Sequence, residues 1–181
     1  MKRKAQKNSL TLGGDLLNDS FFLNPTPFVA HSLIGCVLHF KNRYFEILET
    51  EAYTQDDPAS HSYLSKKTLR NEAMFLSPGT LYVYRIYGMY YCLNIVTEPV
   101  CRGCAVLIRS VQDLSFQLPL SATNGPGKLC RALGIDLQFN KQSLFSKESG
   151  IRMPECRPTV GVSSRIGISK GKDLLWRFYK I

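Results

Sequence analysis

Residues 81–94 constrain the fold of this chain more than any other stretch. Five tyrosines fall within residues 82–91, and a single glycine, Gly88, interrupts the run. Tyr82–Ile86 and Tyr91–Val96 alternate with the two-residue period of a strand, and aromatic side chains suit a pleated, half-buried surface. With Tyr87-Gly88-Met89-Tyr90 between them, the segment predicts a β-hairpin that carries Tyr87 at its tip, on a turn that Gly88 permits.

The rest of the chain extends this hairpin into a mixed domain. Cys36–Phe40 and Tyr44–Tyr53 read as strands joined through Lys41-Asn42-Arg43, and Ala105–Ser110 reads as a third strand after the hairpin. Simple alternation within Ile47–Tyr53 puts Ile47, Glu49 and Glu51 on one face and Leu48, Thr50 and Ala52 on the other. Asn18 or Asp19 is placed to cap a short helix near Phe21-Phe22, a second helix is expected near Phe28–Ile34 with Gly35 as its stop, and a third over Leu129–Leu133 is ended by Gly134. Gln138–Pro158 shows little pattern, whereas Thr159–Val162, Ser164–Ile168 and Leu174–Tyr179 are expected to close the sheet. With 181 residues and 44% of them hydrophobic, the chain fits one domain with a sizeable core. Residues 1–12 are expected to form a flexible basic tail and residues 13–181 the folded unit.

Composition narrows the function. Twenty-three Lys and Arg face fourteen Asp and Glu, a formal charge of +9, which favours a polyanionic partner. No stretch approaches the ~18 apolar residues of a membrane span, and the basic start lacks the apolar block of a signal peptide. A soluble intracellular protein is expected, cytoplasmic and close to the nucleoid in a bacterium or nuclear in a eukaryote. The six cysteines fit free thiols better than a disulfide scaffold. Cys101-Arg102-Gly103-Cys104 has the spacing of half a zinc site or of a redox pair, but no second pair accompanies it, and two loop thiols are the preferred reading. No metal and no cofactor are expected.

Several side chains have a chemical reading beside a structural one. Glu49 and Glu51 mark either a solvated sheet face or, given the apolar residues around them, a pocket with at least one carboxylate in it. Tyrosines on a ribbon are good strand formers, but so many rings beside Arg85 also suit base stacking, worth ~1–3 kcal/mol per base. An exposed ring such as Tyr87 at a hairpin tip suits a wedge that fills the gap left when a base leaves the duplex. His61 fits a stacking platform or an ordinary loop residue. Gly125-Pro126-Gly127-Lys128 fits a phosphate site or simply a glycine turn that starts a helix.

In their order along the chain these segments carry a family resemblance. Glu49-Thr50-Glu51-Ala52-Tyr53, Ala59-Ser60-His61-Ser62, Arg70-Asn71-Glu72-Ala73-Met74-Phe75, Pro78-Gly79-Thr80-Leu81-Tyr82-Val83-Tyr84, Ile86-Tyr87-Gly88-Met89, Cys92-Leu93-Asn94, Val106-Leu107-Ile108-Arg109, Gly125-Pro126-Gly127-Lys128-Leu129 and Arg165-Ile166-Gly167-Ile168 together resemble the alkyladenine, or 3-methyladenine, DNA glycosylases of mammals and bacteria. The resemblance runs from about Phe21 to Tyr179. Leu69 departs from the proline frequent in that family, and the chain ends at Ile181, before the further residues that members usually carry.

The resemblance implies a single mixed α+β domain with a curved, mainly antiparallel sheet flanked by helices, and a protruding hairpin. It implies a monofunctional enzyme of base excision repair that works as a monomer on double-stranded DNA containing damaged purines. The substrates implied are 3-methyladenine and 7-methylguanine, with hypoxanthine and ethenoadenine beyond them. By position, Glu51 activates the hydrolytic water and Arg109 orients it. Tyr53, His61 and Tyr84 hold the flipped base, Asn94 filters exocyclic groups at the pocket rim, and Tyr87 enters the duplex. Met89 and Lys128 are expected to touch the DNA backbone. No lysine nucleophile accompanies the site, so simple hydrolysis to an abasic site is expected over a lyase. The competing reading is a non-catalytic protein that binds damaged nucleic acid through the same stacking surface.

Overall fold

The computed structural model describes residues 14–147 and 149–181; the tail expected over residues 1–12 lies outside them. Eight strands form one antiparallel sheet: β1 (Val37–Phe40), β2 (Arg43–Tyr53), β3 (Leu81–Ile86), β4 (Tyr90–Val96), β5 (Ala105–Asp113), β6 (Ser149–Arg152), β7 (Val160–Ser163) and β8 (Arg177–Lys180). Their order is β3-β4-β5-β2-β1-β6, and β8, with β7 beside it, pairs onto β2. The first half of β2 therefore pairs with β1, and its second half, along the same edge, with β8. This fork curls the sheet and brings strands from both ends of the chain around β2.

Among the described residues four α-helices accompany the sheet: α1 (Asp19–Phe22), α2 (Thr26–Ser32), α3 (Leu120–Thr123) and α4 (Pro126–Leu133). Asn18 caps α1 by accepting the Phe21 N–H. Helix α2 begins two residues before the expected Phe28 because Pro27 fits the first turn, where a missing N–H costs nothing. Helix α4 ends as expected at Gly134, which adopts the left-handed conformation, φ 64°. Val29 of α2, Leu33 just past its end, and Leu129 and Leu133 of α4 pack with Val83, Leu93, Ile95, Val106 and Ile108 of the sheet into the main core. A smaller cluster, with Met74, Phe75 and Tyr82, is built separately from it.

Three expectations fail. Ser164–Ile168 is an irregular loop, not a strand. The patternless stretch after Gln138 contains β6, a short strand at the sheet edge whose partner is β1. Most consequential, Ile47 does not share a face with Glu49 and Glu51. The β2–β5 ladder runs in regular register from Phe45↔Asp113 to Ile47↔Val111 and again from Thr50↔Ile108 to Tyr53↔Ala105, with an irregularity between them. Leu48 and Arg109 stand outside the paired positions there, and the parity of both strands inverts. Phe45, Ile47 and Val111 face the core before the bulge, and Ala52, Val106 and Ile108 face it after. Glu49, Glu51 and Tyr53 are thereby moved to the opposite face.

Candidate active site

Register carries the site across the sheet. Tyr82 pairs with Asn94, Asn94 with Leu107, Leu107 with Glu51 and Glu51 with Arg177, so five strands contribute one row of side chains to one face. Tyr84, paired with Cys92, stands one step further toward the hairpin tip. Above this face lies a cavity of about 390 Å³, lined by Tyr53, His61, Tyr82, Tyr84, Asn94 and Arg109, with Tyr87 and the Ile166-Gly167-Ile168 loop at its margin. That size falls in the range of sites for small organic ligands.

Glu51 is fully buried behind the cavity wall. Its Oε2 accepts the Tyr53 hydroxyl at 2.8 Å, and its Oε1 accepts the Ile166 backbone N–H at 2.8 Å. Arg109 Nη1 lies 3.4 Å from the same Oε1. Glu49 is no solvated sheet residue either: Arg109 and Arg177 both donate to it, at 2.9 and 2.5 Å. Two carboxylates and two guanidinium groups thus form a compact charge-balanced cluster, which is how buried charges avoid an unpaired desolvation cost. Burial, reinforced by the neighbouring Glu51 carboxylate, pushes the Tyr53 phenol far above its ordinary pKa, so this hydroxyl remains a donor.

The aromatic part is equally fixed. His61 Nδ1 shares a 2.8 Å hydrogen bond with the buried Tyr82 hydroxyl, and its ring meets the edge of Tyr84 at 4.7 Å. Burial lowers the His61 pKa, and the nearby Arg70 cation lowers it further, so the imidazole is neutral at neutral pH. Tyr82 and Tyr84 are raised, chiefly by burial. Asn94 donates through Nδ2 to the Tyr82 carbonyl at 3.0 Å, which leaves Oδ1 as the end available to the cavity.

At the hairpin tip Tyr87 is 89% exposed and holds φ 47°, next to Gly88 at 72°. A bulky residue in this left-handed region is uncommon and marks a side chain whose placement is over-determined by its turn. Met89 is exposed beside it. Lys128 is exposed on the first turn of α4, two residues from Pro126 at the cavity. Of the site residues expected from sequence, Tyr53, His61, Tyr84, Tyr87, Asn94 and Arg109 line the cavity and Glu51 lies behind its wall, whereas Met89 and Lys128 lie outside the lining. Leu69 is exposed. Cys101 is exposed and Cys104 buried, and among the described residues no three metal-ligating side chains converge.

Three supports escaped the sequence reading. Asn71 Nδ2 donates to the carbonyls of His61 and Lys66, at 2.7 and 2.8 Å, and so clamps the loop that bears His61. Arg165 makes a bidentate pair with Asp57, both fully buried, and stacks its guanidinium 4.7 Å from the Tyr53 ring centre. This pair ties the 164–168 loop to the 54–62 loop and presents the Ile166 N–H to Glu51. All three sit in polar stretches, Asn71 between Arg70 and Glu72 and Asp57 beside Asp56, so nothing in the local pattern marks them as buried.

A buried carboxylate behind a pocket of aromatic rings has the form of a hydrolase site for a small planar ligand. Residues 20–180 match the model of the methylpurine-DNA glycosylase (MPG) family, and the chain belongs to that family. It is 45% identical over 171 residues to a protein of Rickettsia felis, covering 90% of this chain and 92% of the relative. It is 44% identical over 169 residues to one of Ehrlichia chaffeensis, covering 90% and 92%, and 45% identical over 169 residues to one of Sodalis glossinidius, covering 92% and 98%. Each of these carries the name "Putative 3-methyladenine DNA glycosylase". The chain is accordingly a DNA glycosylase, a hydrolase of N-glycosyl bonds, as its sequence motifs imply.

Proposed function

We propose that this glycosylase acts as a monomer on duplex DNA, flips an alkylated or deaminated purine into the aromatic cavity, and hydrolyses its N-glycosyl bond with a water activated by Glu51. The observation that carries this reading is the buried Glu51 carboxylate lying in one row with the cavity residues Tyr82, Asn94 and Leu107. The relatives named for 3-methyladenine favour that base as a substrate. 7-Methylguanine, hypoxanthine and ethenoadenine share the flat purine frame that Tyr53, His61 and Tyr84 would hold. Asn94 Oδ1 would test the exocyclic groups, Tyr87 would occupy the vacated stack, and Met89 and Lys128 would meet the backbone on either side.

The chemistry follows from the leaving group. A purine methylated at N3 or N7 is cationic, so the bond between C1′ and the purine nitrogen breaks with its electron pair neutralising the base, and an oxocarbenium-like sugar develops. A neutral hypoxanthine or ethenoadenine must take up a proton as it leaves. A carboxylate beside that sugar stabilises its charge and accepts the proton of the water that adds to C1′. A carboxylate has about four lone-pair directions. Tyr53, Ile166 and Arg109 approach three of them, which leaves one for water. Glu51→Gln is expected to abolish release of methylpurines from methylated duplex DNA while duplex binding persists. Release at the wild-type rate would remove Glu51 from the mechanism, and a wild-type protein that binds but releases nothing would establish the non-catalytic alternative.

A further inference from the structure

The mechanism gives tasks to Glu51 and Arg109 but none to Glu49, which is 8% exposed and lies two residues before Glu51 on β2. Glu49 Oε1 accepts from Arg109 Nε at 2.9 Å and from Arg177 Nε at 2.5 Å. Arg177 in turn donates through Nη1 to Ser163 Oγ at 2.9 Å, which ties β7 and β8 to the cluster. Arg109 therefore meets two carboxylates with two different parts of one rigid fork. Its Nε is at hydrogen-bond distance from Glu49, and its Nη1 is at 3.4 Å from Glu51, outside that range. Because the guanidinium is planar, fixing Nε also fixes where Nη1 points.

The bulge explains why this is possible. Arg109 sits at the irregular step of β5, and Glu49 at the same step of β2. The inverted parity brings both to the site face together. Released from Glu49, the Arg109 fork would be free to close on Glu51 in the bidentate geometry that guanidinium and carboxylate prefer, and would take the lone pair that water needs.

We propose that Glu49 is a positioning residue of the base-release reaction: it holds Arg109 by Nε so that the Nη1 end steadies Glu51 without capping it. Arg177 donates to the same oxygen and holds Glu49 in place. The proposal rests on the reading of Glu51 as the group that activates water.

The test is single-turnover release of methylpurines from methylated duplex DNA, read beside affinity for a duplex holding a tetrahydrofuran abasic analogue. Glu49→Gln is expected to slow release about 10- to 100-fold, the scale of a misplaced catalytic group, with affinity unchanged. Glu49→Gln with Arg177→Met removes the stranded cation, so its melting temperature should recover while release stays slow. Adding Glu49→Gln to Arg109→Met should cost nothing further, because residues that act through one another do not add. Wild-type release by Glu49→Gln, recovery of the rate in the Arg177→Met double variant, or multiplied losses with Arg109→Met would each overturn the proposal. An active Glu51→Gln protein would instead sink the water-activation reading, whereas an inactive one beside a normal Glu49→Gln protein would sink only the positioning role.

Discussion

His61 lies against Tyr84 and keeps its Nδ1 on the Tyr82 hydroxyl, so its protonation changes the pocket as well as the residue. Burial first, and Arg70 second, hold its pKa below the ordinary 6.5. The sign is that of a depressed base: the ring is neutral above that value and stays neutral somewhat below it, so the neutral pocket is lost only as pH falls through the lowered pKa. An imidazolium there would repel a cationic purine. Affinity for a duplex containing 7-methylguanine is therefore expected to hold as pH drops to 6.5 and to decline below it. A midpoint at or above 6.5, followed by the His61 resonances in NMR, would contradict the neutral-ring account.

Among the elements, those built from local pattern were legible in the sequence and those fixed by distant partners were not. The β3–β4 hairpin and the Gly134 end of α4 followed from period and glycine placement. So did Tyr87 at the tip. Glu51 was reached through its motif, but its position behind the wall depends on Tyr53, Ile166 and Arg109, contributed by three different segments. The loop at residues 164–168 looked like a strand because Ile166 and Ile168 alternate, and the buried Arg165–Asp57 pair overrides that preference. Asp57→Ala would strand a guanidinium with no exposure, and is expected to cost about 3–5 kcal/mol in denaturant unfolding. It should also slow base release, since the Ile166 N–H would leave Glu51. A variant unfolding like the wild type would show the latch to be dispensable.

At the scale of the molecule, the charge of +9 predicts how DNA is held. Each phosphate neutralised by Lys or Arg steepens the salt dependence by ~0.9 in log–log slope. With about six such contacts, duplex affinity should fall roughly 10³-fold between 50 and 200 mM salt. A flat response in a fluorescence titration would mean that stacking, not the basic surface, carries binding.

The bulge shared by Leu48 and Arg109 shapes what length changes this enzyme tolerates. Strands usually read in one frame, with every second residue committed to the same side; β2 and β5 are each read in two frames, joined at that step. Deleting one residue from each strand at the step would give a more regular ladder, and by ordinary criteria a better sheet. Both faces would survive, with Phe45 and Ile47 still in the core and Glu49 and Glu51 still opposite, but the residue lost from β5 would be Arg109, which stands between the two carboxylates. For this chain the irregular step is the place where the sheet gives an extra residue to a guanidinium, and smoothing it would keep both faces while taking the cation out from between the carboxylates.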